Sequence, residues 1–200
     1  MPSGRFSEFQ NNINRSKELI GLGEAIHGLT VGVVDASDMY RAALVHAVAA
    51  LDSYVHDVAL DHAVAIVLGS RSPGSESKIG LHFGTVADIL AASTASEREL
   101  RAREAINARL SRETFQQPED IAKVLSVVGV PAIWSTAFGS AGAKAARTAL
   151  SLVVRRRNII VHRCDVDPTG LGGTYPLSKD DAVDAVATVE NTVCAINACI

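Results

Sequence analysis

The sequence predicts an all-α protein, a bundle of helices in one domain, and three observations predict it. Hydrophobic residues make up 48% of the chain but aromatics only 4%, and alanine is abundant throughout. That mixture suits closely packed helices better than a sandwich or barrel, which needs alternating β-branched and aromatic residues. Apolar residues recur at helical intervals, and the breaks between the periodic segments carry N-cap and turn residues. At 200 residues the chain is long enough to bury a proper core within a single domain. There is no internal repeat, low-complexity tract or linker long enough to divide it.

Residues 5–26 place Phe6, Phe9, Ile13, Leu19, Ile20 and Leu22 on a first amphipathic helix. Residues 28–34 break it. Asp35, Ser37 and Asp38 then offer N-cap side chains for a long helix over about 37–67. Residues 69–77 form a turn-rich loop without an apolar anchor. A short helix follows over about 84–92, and Ser96 with Glu99 makes a capping box for a charged helix to about 112. Pro118, Glu119 and Asp120 open another helix that ends near Gly129, and the segment Pro131–Phe138, with the only tryptophan, reads as a short one. Ala141 to His162 has no breaker except Gly142 and is the expected core-forming helix. Asp167, Pro168, Thr169 and Gly170 make a turn, after which Ser178 and Asp181 cap a last helix through about 198.

The bulk properties exclude several classes of function. A formal net charge of −3 rules out a globally basic nucleic-acid binder, so any attraction for phosphate must be local. Cys164, Cys194 and Cys199 have no metal-ligand spacing, and an odd, sparse count fits reduced thiols in a cytoplasm. The polar N-terminus is neither a signal peptide nor an anchor. The most apolar window, Ala42–Leu68, is interrupted by His46, Asp52, His56, Asp57, Asp61 and His62, which a bilayer would not tolerate. The expectation is a cytoplasmic protein with no membrane partner.

Chemistry concentrates in Arg155-Arg156-Arg157-Asn158-Ile159-Ile160-Val161-His162-Arg163. Basic residues in the last turn of a helix complement its dipole, and that alone accounts for some of the charge. It does not account for the histidine, nor for Asn158, a mediocre helix former. Phosphodiester cleavage would use all three residue types. An imidazole exchanges protons near neutral pH, and a guanidinium fork holds a phosphate and stabilises extra charge on it. RNA brings its own nucleophile, the 2′-hydroxyl.

Arg157, four intervening residues and His162 form an R-x4-H pattern with asparagine directly after the arginine. This resembles the motif of HEPN ribonucleases, which carry it on a late helix of an α-helical bundle. The run VRRRNIIVHR followed by Cys164-Asp165-Val166-Asp167-Pro168 is most similar to the RiboL-PSP-HEPN family. That family also has an acidic and aromatic signature on a long early helix, to which Ala50-Leu51-Asp52-Ser53-Tyr54-Val55-His56-Asp57 is similar. The resemblance covers about residues 35–198, with residues 1–34 as an added N-terminal helix and loop. It implies metal-independent cleavage of RNA to a 2′,3′-cyclic phosphate without a cofactor. Arg157 would be the phosphate clamp, His162 the general acid or base, and Asn158 would orient the histidine or the scissile group. Arg156 and Arg163 would contact neighbouring phosphates. A toxin or phage-defence effector is implied, with an antitoxin or other regulatory protein as a further partner.

Helix geometry adds a constraint. Five residues rotate through about 500°, so on a straight helix Arg157 and His162 lie about 140° apart. Asn158 and His162, at i and i+4, share a face, and Arg155 joins them. The family's answer is a homodimer in which two copies of the motif line one cleft, which implies an isologous interface.

Other residues carry weaker patterns. His46, Asp52, His56, Asp57, Asp61 and His62 cluster on one helix, but no second ligand pair completes a metal site. Asp52 and His56 are candidates to line the HEPN cleft. His27 and His82 read as loop residues, Cys194 and Cys199 as core or dimer-interface residues, and Glu97–Arg112 as a solvated face. Two rival readings stand beside the enzyme. One is a non-catalytic HEPN module that binds RNA, a nucleotide or a protein; the other is a purely structural bundle with a basic helix end.

Overall fold

The computed structural model describes residues 4–74, 80–167 and 173–200. They form seven helices: α1 (Gly4–Leu29), α2 (Ser37–Val67), α3 (Phe83–Leu90), α4 (Ala95–Leu110), α5 (Pro118–Val127), α6 (Ile133–Arg163) and α7 (Lys179–Asn197). Among the described residues there is no strand, only an isolated antiparallel bridge between Val166 and Thr174. The fold is all-α. Residues 75–79 of the turn-rich loop and 168–172 of the glycine turn lie outside the described residues.

α2 is the central helix, packed against α1, α4, α6 and α7. By length and composition it could cross a membrane, yet its apolar surface is spent on the bundle. Ala43, Ala47, Val48, Leu51, Val55, Val58, Ala59 and Ala63 are buried along it. Small residues at these positions let neighbouring helices approach closely, which is how a chain poor in aromatics still fills its core. One apolar cluster joins them to Phe9 and Ile13 of α1, Ile106 of α4, Leu125 of α5, Leu150 and Val154 of α6, and Val189 and Ile196 of α7. α1 is therefore part of the same core rather than an appendage. Tyr54 anchors α2 to α7, its hydroxyl donating to Asn197 Oδ1 at 2.9 Å.

Several helix ends differ from the sequence expectation. The α4 cap is Thr94, whose side chain accepts from Glu97 N, while Glu97 Oε2 accepts from Ser93 N at 2.9 Å. The Ser96–Glu99 pair had the right residue types but lies two positions too late. α2 begins after Ala36 without a side-chain cap; Asp35 Oδ1 instead accepts from Ser37 N at 2.8 Å. The two expected helices around Gly139 run into each other, kinked where Gly139 takes φ 68° and ψ 163°. A positive φ with extended ψ suits glycine, so the kink sits where the sequence tolerates it. The Ser178–Asp181 capping box of α7 forms as expected. Cys194 is exposed, so it is not a core residue, and His27 lies within α1 rather than in a loop.

Candidate functional site

The basic segment occupies the last turns of α6. Cys164 and Asp165 follow in the left-handed region, with φ 48° and 56°, and turn the chain off the helix axis. Such a conformation costs a non-glycine residue roughly 1 kcal/mol each. The Asp165 side chain holds it in place. Fully buried, its Oδ2 accepts from Arg41 Nε and from Arg156 Nη2, both at 2.8 Å, and its Oδ1 lies 2.8 Å from Arg156 Nη1. Arg41, on the first turns of α2, also donates to Ser37 Oγ, Thr174 Oγ1 and the Tyr175 carbonyl. Arg156 reaches the same carbonyl at 3.1 Å, and its guanidinium lies 5.3 Å from the centre of the Tyr175 ring. One carboxylate and two guanidinia thus tie the start of α2, the end of α6 and the approach to α7. This binds Arg156 into the fold rather than leaving it open for a phosphate.

Arg157 has a different environment. On α6 it points toward α2 and α4 and lines an open cleft with Asp52, Ser53, His56, Asn107 and Gln116. The cleft, about 380 Å³, falls within the size range of small-molecule sites. Arg157 Nη1 donates to Asn158 Oδ1 at 3.1 Å, while its Nε is buried and has no hydrogen-bond partner among the described residues. Among the described residues no carboxylate pairs with it. Asp52, the carboxylate of the cleft, is held elsewhere: Oδ1 accepts from Phe115 N at 2.6 Å and Oδ2 from Gln116 Nε2 at 2.9 Å. His56, one turn on, packs at a tilt against Phe115 with ring centres 4.4 Å apart, and its Nε2 lies 3.7 Å from Asp52 Oδ1. That separation is an electrostatic contact, too long for a hydrogen bond.

His162 lies outside this cleft. It is exposed and makes no hydrogen bond among the described residues. It ends a stripe on the outward face of α6 made of Ala141, Ala145, Thr148, Leu152, Arg155 and Ile159, spaced alternately four and three apart. Such spacing keeps residues on one side of a helix. All of them are exposed except the half-buried Ile159. Arg155 and Arg163 are exposed as well.

The structure thus brings Arg157 together with Asn158, Asp52 and His56, and does not bring Arg157 together with His162 within one chain. Asn158 holds the arginine, where the sequence suggested the histidine or the scissile group. Among the described residues no group of three or more His, Cys, Asp or Glu side chains is arranged to hold a metal ion. Asn107 and Gln116 were missed as cleft residues, because a polar residue on a charged helix and another in a loop have no spacing signal. Asp165 was seen only as part of an acidic turn, and nothing in the sequence linked it to Arg41. Compared with models of protein families, with curated proteins and with solved structures, the chain has no match.

Proposed function

We propose that the protein is a metal-independent endoribonuclease of the HEPN type, working as a homodimer. One observation carries this reading. After Arg156 is taken up by Asp165, the end of α6 still presents a guanidinium without a carboxylate partner among the described residues, Arg157 in a polar cleft, and an exposed imidazole, His162. Arg157 would clamp the scissile phosphate through its fork of donors, and Asn158 would fix the orientation of that fork. His162 would move a proton, and Arg163 would meet a neighbouring phosphate. Because the two side chains diverge on one helix, the His162 serving a given Arg157 comes from a second copy. The outward stripe of α6, with Leu152 62% exposed, supports that arrangement as an unpartnered helix face. An enzyme that degrades RNA suits a toxin or defence effector restrained by an antitoxin or regulatory protein.

The test is cleavage of a single-stranded RNA by purified protein in excess EDTA, with the product ends identified. A 2′,3′-cyclic phosphate, lost in Arg157→Ala and in His162→Ala, is expected. Sedimentation should give a dimer that Leu152→Asp dissociates. The reading fails if the protein cleaves nothing, or if both variants cleave as the parent does.

A second reading is favoured by the same divergence of Arg157 and His162: a HEPN-like module that binds RNA or a nucleotide without cutting it. RNA binding that survives His162→Ala, with intact substrate recovered from the unmutated protein, would select it.

A further inference from the structure

The imidazole that shares a cleft with Arg157 in the same chain is His56. Three features of that cleft point to an anion. Arg157 has no carboxylate partner among the described residues, and its buried Nε lacks an acceptor. A buried donor without an acceptor costs about 1–3 kcal/mol, a cost that a bound oxyanion would remove. The carboxylate of the cleft, Asp52, is held by Phe115 N and Gln116 Nε2, which turns its charge toward the loop between α4 and α5. Ser53 and Asn107 add neutral donors to the walls. These are the groups that recognise a phosphate: one guanidinium fork, neutral hydrogen-bond donors, and no free carboxylate to repel it.

His56 is fixed for chemistry in a way His162 is not. Its ring packs against Phe115 at a tilt of 46°, and Nε2 faces Asp52, which leaves Nδ1 without a partner among the described residues. A carboxylate near one ring nitrogen favours a proton there and leaves the other nitrogen as an acceptor. We propose that the cleft between α2, α4 and α6 binds one phosphate of RNA, and that His56 is the general base of the reaction, with Asp52 as its positioning residue. The inference rests on the ribonuclease reading and divides between two imidazoles what that reading gave to one. His56 Nδ1 takes the proton of the 2′-hydroxyl as that oxygen attacks phosphorus. The bond from phosphorus to the 5′-oxygen breaks, and the leaving oxygen takes a proton from the His162 imidazolium of the second copy. The developing charge on the phosphoryl oxygens faces Arg157. Each imidazole ends with the other's starting charge, and a proton exchanged with water restores both.

Two measurements test it. In the first, inorganic phosphate is titrated into the full-length protein while the arginine Nε–H and histidine ring resonances are followed. Saturable shifts of Arg157 and His56, absent in Arg157→Ala, are expected; no shift at either residue overturns the phosphate site. In the second, cleavage of ordinary RNA is compared with that of RNA whose leaving 5′-oxygen is replaced by sulfur, a group that departs without a proton. His56→Gln and His162→Ala should both slow ordinary RNA by about 10²-fold or more. The sulfur substrate should restore His162→Ala to within about tenfold of the parent and leave His56→Gln slow, a split that a merely structural loss would not produce. Asp52→Asn should follow His56→Gln with a smaller loss. Parent-like cleavage by His56→Gln, or rescue of that variant by sulfur, sinks the assignment of His56 while the ribonuclease reading stands. Absence of cleavage by the parent sinks that reading together with the role of His56, and the phosphate titration then decides the site by itself.

Discussion

Arg156 and Arg157 are neighbours in sequence with the same side chain, and the fold uses them in opposite ways. Arg156 turns toward the chain that leaves α6, where the buried carboxylate of Asp165 and the carbonyl and ring of Tyr175 satisfy it. Arg157, about 100° further round the helix, turns toward α2 and α4 and pairs with no carboxylate among the described residues. The difference lies in what each direction meets. A guanidinium whose donors end on a buried carboxylate stabilises the structure, whereas one with a buried unsatisfied donor at the wall of an open cleft is available to a ligand. A cluster of like charges is therefore not one feature but several.

Removing the shared carboxylate should give the largest effect. Asp165→Ala removes the buried counter-ion shared by Arg41 and Arg156, leaving Arg41 with the exposed Asp38 carboxylate, and unfolding in urea should show a loss of about 3–5 kcal/mol. If the cost is under about 1 kcal/mol, the cluster does not hold the end of α6. Next comes Arg157→Ala. Its contribution is to a transition state, so cleavage should fall by about 10²–10³-fold while stability changes by no more than about 1 kcal/mol. Arg157→Lys keeps the charge but loses the fork, and should recover only part of the rate.

His62 sharpens the comparison, because an absent partner does not by itself make a site. Its Nδ1 is buried and, like Arg157 Nε, has no hydrogen-bond partner among the described residues, but the ring sits within the bundle. Burial first, then the charges of Arg71 and Arg5, push its pKa down from 6.5 to about 4. Between those values the unfolded chain binds a proton that the folded chain refuses. The associated stability is present above pH 6.5 and is lost as the pH falls toward 4. Unfolding followed from pH 7 to pH 4.5 should show a decline, of which His62→Gln removes about 1–3 kcal/mol. An unchanged acid slope in that variant would mean the imidazole is solvated. The smallest effect belongs to Asn158→Ala, which frees the Arg157 fork from its hydrogen-bond partner among the described residues and should slow cleavage by about tenfold or less.

Much of this architecture was legible in the sequence. The long apolar helix over 37–67, the helical run from Ala141 to His162 and the Ser178–Asp181 cap follow from periodicity and capping, which act over a few residues, whereas the joining of that run to the preceding helix across Gly139 did not. The i, i+4 pair Asp52 and His56 was visible as well, with its proximity to Arg157 open until the helices were packed. What stayed hidden depends on contacts between distant segments. The Arg41–Asp165 pair joins residues 124 apart, and Asp52 is held from a loop more than 60 positions away. No local rule links such positions. The separation of Arg157 from His162 lies between these extremes: helix geometry predicted the divergence, and only packing could assign one side chain to a cleft and the other to the surface.

The most direct test measures two quantities on two variants, the unfolding free energy and the rate of RNA cleavage in EDTA, for Arg156→Ala and Arg157→Ala. Arg156→Ala should lose about 2–3 kcal/mol of stability while the folded fraction still cleaves RNA. Arg157→Ala should unfold like the parent and leave RNA intact. Equal losses of stability and rate in the two variants, or parent-like cleavage by Arg157→Ala, would contradict the division of labour between these adjacent arginines.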